Sequence, residues 1–195
     1  MAFTSLVMLT TVTIMSAFAV STMNLKTGNW ITYQTSVAVN DEQPRNVEKF
    51  TLKDTDLKMK TTESPGFFHI SNNSKIGDLI ILHDTVLSGN GKVIGISTIP
   101  VGHLKVRSFE VKTNHAYGKQ NDGIIFVGTI DNFYDTKTGI MLQSYQNFTM
   151  YGVNSAWKIT AINASSGMLG EDNSIVTKFQ PNEIKGKFCF LFWCW

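Results

Sequence analysis

The chain has 195 residues, a formal net charge of +2 and only 16% charged side chains, against about 25% in an average soluble domain. With so small a charge and no run of Lys or Arg longer than two, nucleic acid is not an expected partner. Its only cysteines, Cys189 and Cys194, exclude a framework of disulfides, so an apolar core has to hold the fold.

Residues 2–19 carry no charged side chain and end in Ala17-Phe18-Ala19. The apolar stretch around Leu6 to Val20 is short for a membrane span of about 20 residues. It suits the core of about 7–15 residues in a secretory leader, with small residues placed for cleavage after Ala19. No Lys or Arg precedes that core, so an uncleaved N-terminal anchor, or a buried strand or helix, stays open beside a removable signal peptide. The expected location is secreted, or the extracytoplasmic surface of a membrane. The chain divides into 1–19 as signal peptide or anchor, 20–185 as one antiparallel β domain and 186–195 as an aromatic tail.

Alternation with period two dominates from Trp30 onward. In Trp30 to Val39, Ile31, Tyr33, Val37 and Val39 share one face, opposite Thr32, Gln34 and Ser36. Phe50 with Leu52, and Leu57 with Met59, repeat the pattern. Leu79-Ile80-Ile81-Leu82 is apolar on both faces and predicts a central strand. Asn90-Gly91 suits a type I′ turn that would fold Lys92 to Thr98 back on Asp84 to Leu87. Further strands are predicted at Leu104 to Val111, Ile124 to Tyr134, Ile140 to Tyr151, Ala156 to Ile162 and Ser174 to Phe179. Helix is expected to be scarce, a short turn near Ala164 to Leu169. The predicted fold is all-β, a single antiparallel and strongly curved sheet, half-barrel or sandwich.

In Phe133-Tyr134-Asp135-Thr136-Lys137-Thr138-Gly139-Ile140, Asp135 is placed to accept amide hydrogen bonds two and three residues on. Gly139 can take the left-handed conformation that returns the chain into the next strand. This aromatic-Asp-x-x-Thr-Gly-aliphatic hairpin resembles one in lipoprotein-carrier (LolA-like) half-barrels. It is also similar to one in uncharacterised exported β-rich proteins, mostly archaeal. The second resemblance extends to Gly28-Asn29-Trp30-Ile31-Thr32-Tyr33 and to Lys75-Ile76-Gly77-Asp78-Leu79. The carriers imply acyl-chain binding on a concave sheet. The archaeal group implies export and architecture, without an activity.

Catalytic and metal signatures are missing from the sequence. His69, His83, His103 and His115 are scattered without paired spacing. Asp131, Asp135, Asn121 and Asp122 read as turn residues rather than a calcium loop. No G-x-S-x-G occurs, and Gly89-Asn90-Gly91-Lys92 departs from a phosphate loop. No catalytic, cofactor-binding or metal residue is therefore assigned, and no cofactor is expected. Asn72, Asn147 and Asn163 each open an N-x-[ST] triplet and are candidate glycosylation sites.

The reading is an exported, non-catalytic domain that binds an apolar ligand, such as a lipid, or a protein partner. Trp30, Tyr33, Phe126, Phe133, Tyr134 and Trp157 are the candidate ligand face, with burial in the core as the competing role. A structural or adhesive surface module, and an extracytoplasmic hydrolase around His83 and Asp84, are the alternatives. Membrane association is expected through residues 1–19 or 188–195, where Trp favours the interface. Were that tail extended, Cys189 and Cys194 would lie beyond bridging distance. The oligomeric state stays open.

Overall fold

The computed structural model describes residues 25–40, 42–64, 66–83, 87–120, 123–171, 189–190 and 193–194. The apolar leader, the strand predicted over Ser174 to Phe179 and most of the aromatic tail lie outside the described residues. Among the described residues, no helix is long and apolar enough to cross a membrane.

Eight strands form one antiparallel sheet. In chain order they are β1 (Trp30–Val39), β2 (Arg45–Lys53), β3 (Leu79–His83), β4 (Leu87–Val101), β5 (Leu104–Gln120), β6 (Gly123–Asp135), β7 (Met141–Met150) and β8 (Val153–Ala164). The spatial order is β2-β1-β8-β7-β6-β5-β4-β3, so the sheet is open, with β2 and β3 as its edges. It is strongly coiled. A Cβ on Gly102, in the β4–β5 turn, would lie 3.0 Å from the Ile162 carbonyl oxygen on β8, although three strands separate β4 from β8.

One face of the sheet is covered. Ile31, Tyr33, Val93, Val111, Ile130 and Tyr134 point to it and are buried. The strap from Gly66 to Ile70 crosses this face. Phe68 meets Tyr33 edge-on at 6.5 Å, and Tyr33 stacks on Phe50 at 5.5 Å. The Tyr33 hydroxyl donates to the Met141 carbonyl (2.7 Å), and that of Tyr134 to the Gly66 carbonyl (2.7 Å). Both hydroxyls are therefore satisfied on burial, Tyr33 by tying β1 to β7 and Tyr134 by tying β6 to the strap. Thr113 Oγ1 and Asn132 Oδ1, by contrast, are buried without a hydrogen-bond partner among the described residues. Thr113→Val keeps the side-chain shape and removes a hydroxyl that gains nothing from burial. It is expected to stabilise the fold by about 1 kcal/mol in urea titration, and a loss of that size would contradict this.

The Asp135 hairpin forms with the predicted chemistry. Its carboxylate accepts from Lys137 N (3.2 Å), Thr138 N (3.1 Å) and Thr138 Oγ1 (2.6 Å), and Gly139 has φ of 75°. The carboxylate also accepts from Gly170 N (3.1 Å), while Lys137 Nζ donates to the Gly167 carbonyl (2.9 Å). The turn thereby anchors the segment after β8. Burial pushes the Asp135 carboxyl above the usual carboxylate range, against hydrogen bonds from Thr138, Lys137 and Gly170 that lower it. Burial holds His69 below its ordinary value, and its neutral ring donates Nε2–H to the Thr138 carbonyl at 3.1 Å.

Three sequence expectations are corrected. Leu57 and Met59 lie not on a strand but on a helix, α1 (Asp54–Glu63), whose start is fixed by Lys53 N donating to Asp56 Oδ2 at 2.9 Å. Asp54 and Asp56 in the first turn and Lys60 in the last suit the helix dipole. Leu57 is buried and Met59 exposed, so the two do not share an apolar face. Asn90-Gly91 is not a turn; it lies inside β4, where a Cβ on Gly91 would sit 2.7 Å from both Thr113 Oγ1 and Val111 Cγ1. Glycine serves close approach there, not a left-handed turn. Leu79 to Leu82 lies at an edge of the sheet, not its centre, with Leu79 77% exposed. In the tail, β9 (Cys189–Phe190) and β10 (Trp193–Cys194) pair antiparallel, with Cys189 opposite Cys194.

Candidate functional site

Direct cross-strand partners point to the same face of a sheet, and this defines the face away from the strap. A row of partners runs across six strands: Leu79, Lys92, Lys112, Asp131, Tyr145 and Lys158. Lys158 Nζ lies 5.0 Å from the centroid of the Tyr145 ring, and Phe133 meets the same ring edge-on at 6.3 Å. Small and amide side chains fill the next row, Thr129, Asn147, Ala156 and Ala38.

On this open face a groove of about 460 Å³ lies over β3, β4 and β5. Leu79, Ile81 and His83 border it from the edge strand. Ser88, Asn90 and Lys92 contribute from β4, and Lys112, Asn114, His115 and Tyr117 from β5. Leu79 is 77% exposed and Ile81 53%. Ser88 Oγ lies 3.2 Å from His83 Nδ1, which orients that ring along the edge. The backbone of the same edge is not free along its length. A Cβ on Gly66 would run into the Ile81 carbonyl, so the strap shields that edge group from pairing with another strand.

The opposition of Lys92 to Lys112 depends on a bulge. Val93 faces Val111, whereas Gly95 faces Glu110, which leaves Ile94 unpaired between them. The register shift at Ile94 sets the two lysines directly opposite each other.

The aromatic residues predicted as a ligand face do not share one face. Tyr33 and Tyr134 are fully buried on the covered side. Trp157 points to that side as well, paired with Val37 of β1, but is 44% exposed. Trp30 and Phe133 fall on the open face, and Phe126, on β6, pairs with Gly118 of β5, with its side chain outside the described residues. Sequence reasoning missed the lysine pair, Leu79, Ile81, His115 and Tyr117. The lone signal was an aliphatic run too apolar for an edge.

Asn72, in a turn, donates Nδ2 to the Lys137 carbonyl at 3.2 Å. Asn147 lies on β7 and Asn163 on β8, both exposed. Asn121 and Asp122 lie outside the described residues, and Asp135 is committed to its turn. Among the described residues no group of three or more His, Cys, Asp or Glu converges on a point. No protein-family model and no curated protein matches the chain.

Proposed function

We propose that the protein is an exported, non-catalytic β domain that binds an apolar ligand on the open face of its sheet. The observation that carries this reading is the exposed pair Leu79 and Ile81, side by side on an edge strand and bordering a groove of ligand size. Exposed aliphatic side chains grouped beside a concavity are what an apolar ligand would cover. Tyr33, Tyr134 and Leu142 are fully buried on the covered face, which supports the choice of the open face for the ligand. The resemblance to lipoprotein carriers supports the ligand class but not this position.

Export rests on the leader, residues 1–19, and exposure at Asn72, Asn147 and Asn163 is compatible with glycosylation in the secretory route. The test is purification from the native host, N-terminal sequencing and mass spectrometry of extracted lipid. The expected material begins at Val20 and carries an extractable apolar molecule. A folded double variant, Leu79→Asp with Ile81→Asp, is expected to lose most of it. An intact Met1 would contradict cleavage, and equal lipid content in the variant would contradict the site.

A further inference from the structure

The polar wall of the groove carries more than an apolar ligand needs. Lys92 and Lys112 are direct cross-strand partners, an arrangement that like charge makes unfavourable. Neither takes part in an ion pair among the described residues, unlike Arg45 with Glu42 at 3.2 Å and Lys60 with Glu63 at 3.3 Å. Asp131 is the cross-strand neighbour of Lys112 on β6, yet its Oδ1 is buried without a hydrogen-bond partner. Among the described residues no carboxylate lines the groove itself, while His115, Asn114 and Tyr117 add donors beside the lysines.

We propose that this groove takes an anionic single-chain amphiphile, its head between Lys92 and Lys112 and its alkyl chain along Leu79 and Ile81. An anion placed there converts the lysine repulsion into two charge-assisted hydrogen bonds. Leu79, Ile81 and His83, at alternate positions of β3, span about 13 Å, the length of about ten methylenes laid along the strand. The inference rests on the reading of the open face as a ligand surface and adds the anionic head to it.

The test is calorimetric titration of the folded protein with decanoate, decanol and acetate. Decanoate is expected to bind, more weakly as salt screens the lysines, with decanol and acetate each about tenfold weaker or worse. Lys112→Gln, which relieves a repulsion and leaves the fold intact by its melting curve, is expected to lower decanoate affinity about tenfold while leaving decanol unchanged. Decanol binding as tightly as decanoate would overturn the anionic head and leave the apolar ligand standing. Failure of both ligands to bind would overturn the ligand surface as well. Sedimentation with phosphatidylglycerol vesicles in the absence of decanoate binding would overturn the single-chain ligand in favour of a membrane.

Discussion

Asp135→Ala is expected to lower the unfolding free energy by about 3–5 kcal/mol, read as a drop in urea midpoint at unchanged slope. Four donors converge on this buried carboxylate: Lys137 N, Thr138 N, Thr138 Oγ1 and Gly170 N, between 2.6 and 3.2 Å. Alanine leaves them facing a methyl group in a position that water does not reach. Each unmatched buried donor costs about 1–3 kcal/mol. The loss also removes one tie between the segment around Gly170 and the β6–β7 turn, leaving the Lys137 Nζ bond to the Gly167 carbonyl. Asp135→Asn keeps one acceptor oxygen and turns an NH₂ group towards donors, so about half the loss is expected. The backbone bonds Gly139 N to Asp135 O (2.7 Å) and Asp135 N to Ile140 O (2.8 Å) survive in both variants. If Asp135→Ala were to change stability by less than about 0.5 kcal/mol, those bonds alone would be holding the turn.

Gly139→Ala is expected to cost about 3 kcal/mol, for two reasons that add. Its φ of 75° lies in the left-handed region, where a Cβ costs about 1–2 kcal/mol. A Cβ there would also run into the Ile70 carbonyl oxygen and lie 3.0 Å from His69 Nε2, an overpacking of about 1–3 kcal/mol. Ile70 N donates to the Gly139 carbonyl at 2.9 Å and Met141 N to the Phe68 carbonyl at 2.9 Å. Displacing Ile70 therefore loosens the strap over Tyr33 and Tyr134. Gly167→Ala separates the two terms, since φ there is 69° with nothing within 4 Å of the new Cβ. It is expected to cost about 1 kcal/mol. Equal losses in the two variants, measured by urea titration, would show that the fit of the strap contributes nothing.

What was legible from the sequence was whatever local chemistry decides. Ile31, Tyr33, Val37 and Val39 alternate with Thr32, Gln34 and Ser36, and Trp30 to Val39 forms β1 over that range. Asp135 and Gly139 specify their turn through side-chain acceptors and left-handed φ, both local properties. What long-range packing decides was not legible. Gly91 looks like a turn residue because its reason for being glycine, the side chains of Val111 and Thr113, is twenty residues away or more. Leu79 to Leu82 reads as central because exposure of Leu79 and Ile81 follows from the strand order rather than from composition. The short helix α1 buries Leu57 but exposes Met59, so its apolar residues form no stripe to detect. The lysine pair of the groove was hidden for a related reason. Only the unpaired Ile94 sets Lys92 against Lys112, and no residue type announces a bulge.

The most direct measurement of the central claim is chemical-shift mapping of the folded protein as decanoate is added. Shifts concentrated at Leu79, Ile81, Lys92, Lys112 and Tyr117, with Tyr33 and Tyr134 unmoved, are the predicted result. Shifts centred on Tyr33, Tyr134 and Trp157, or none at saturating decanoate, would contradict it.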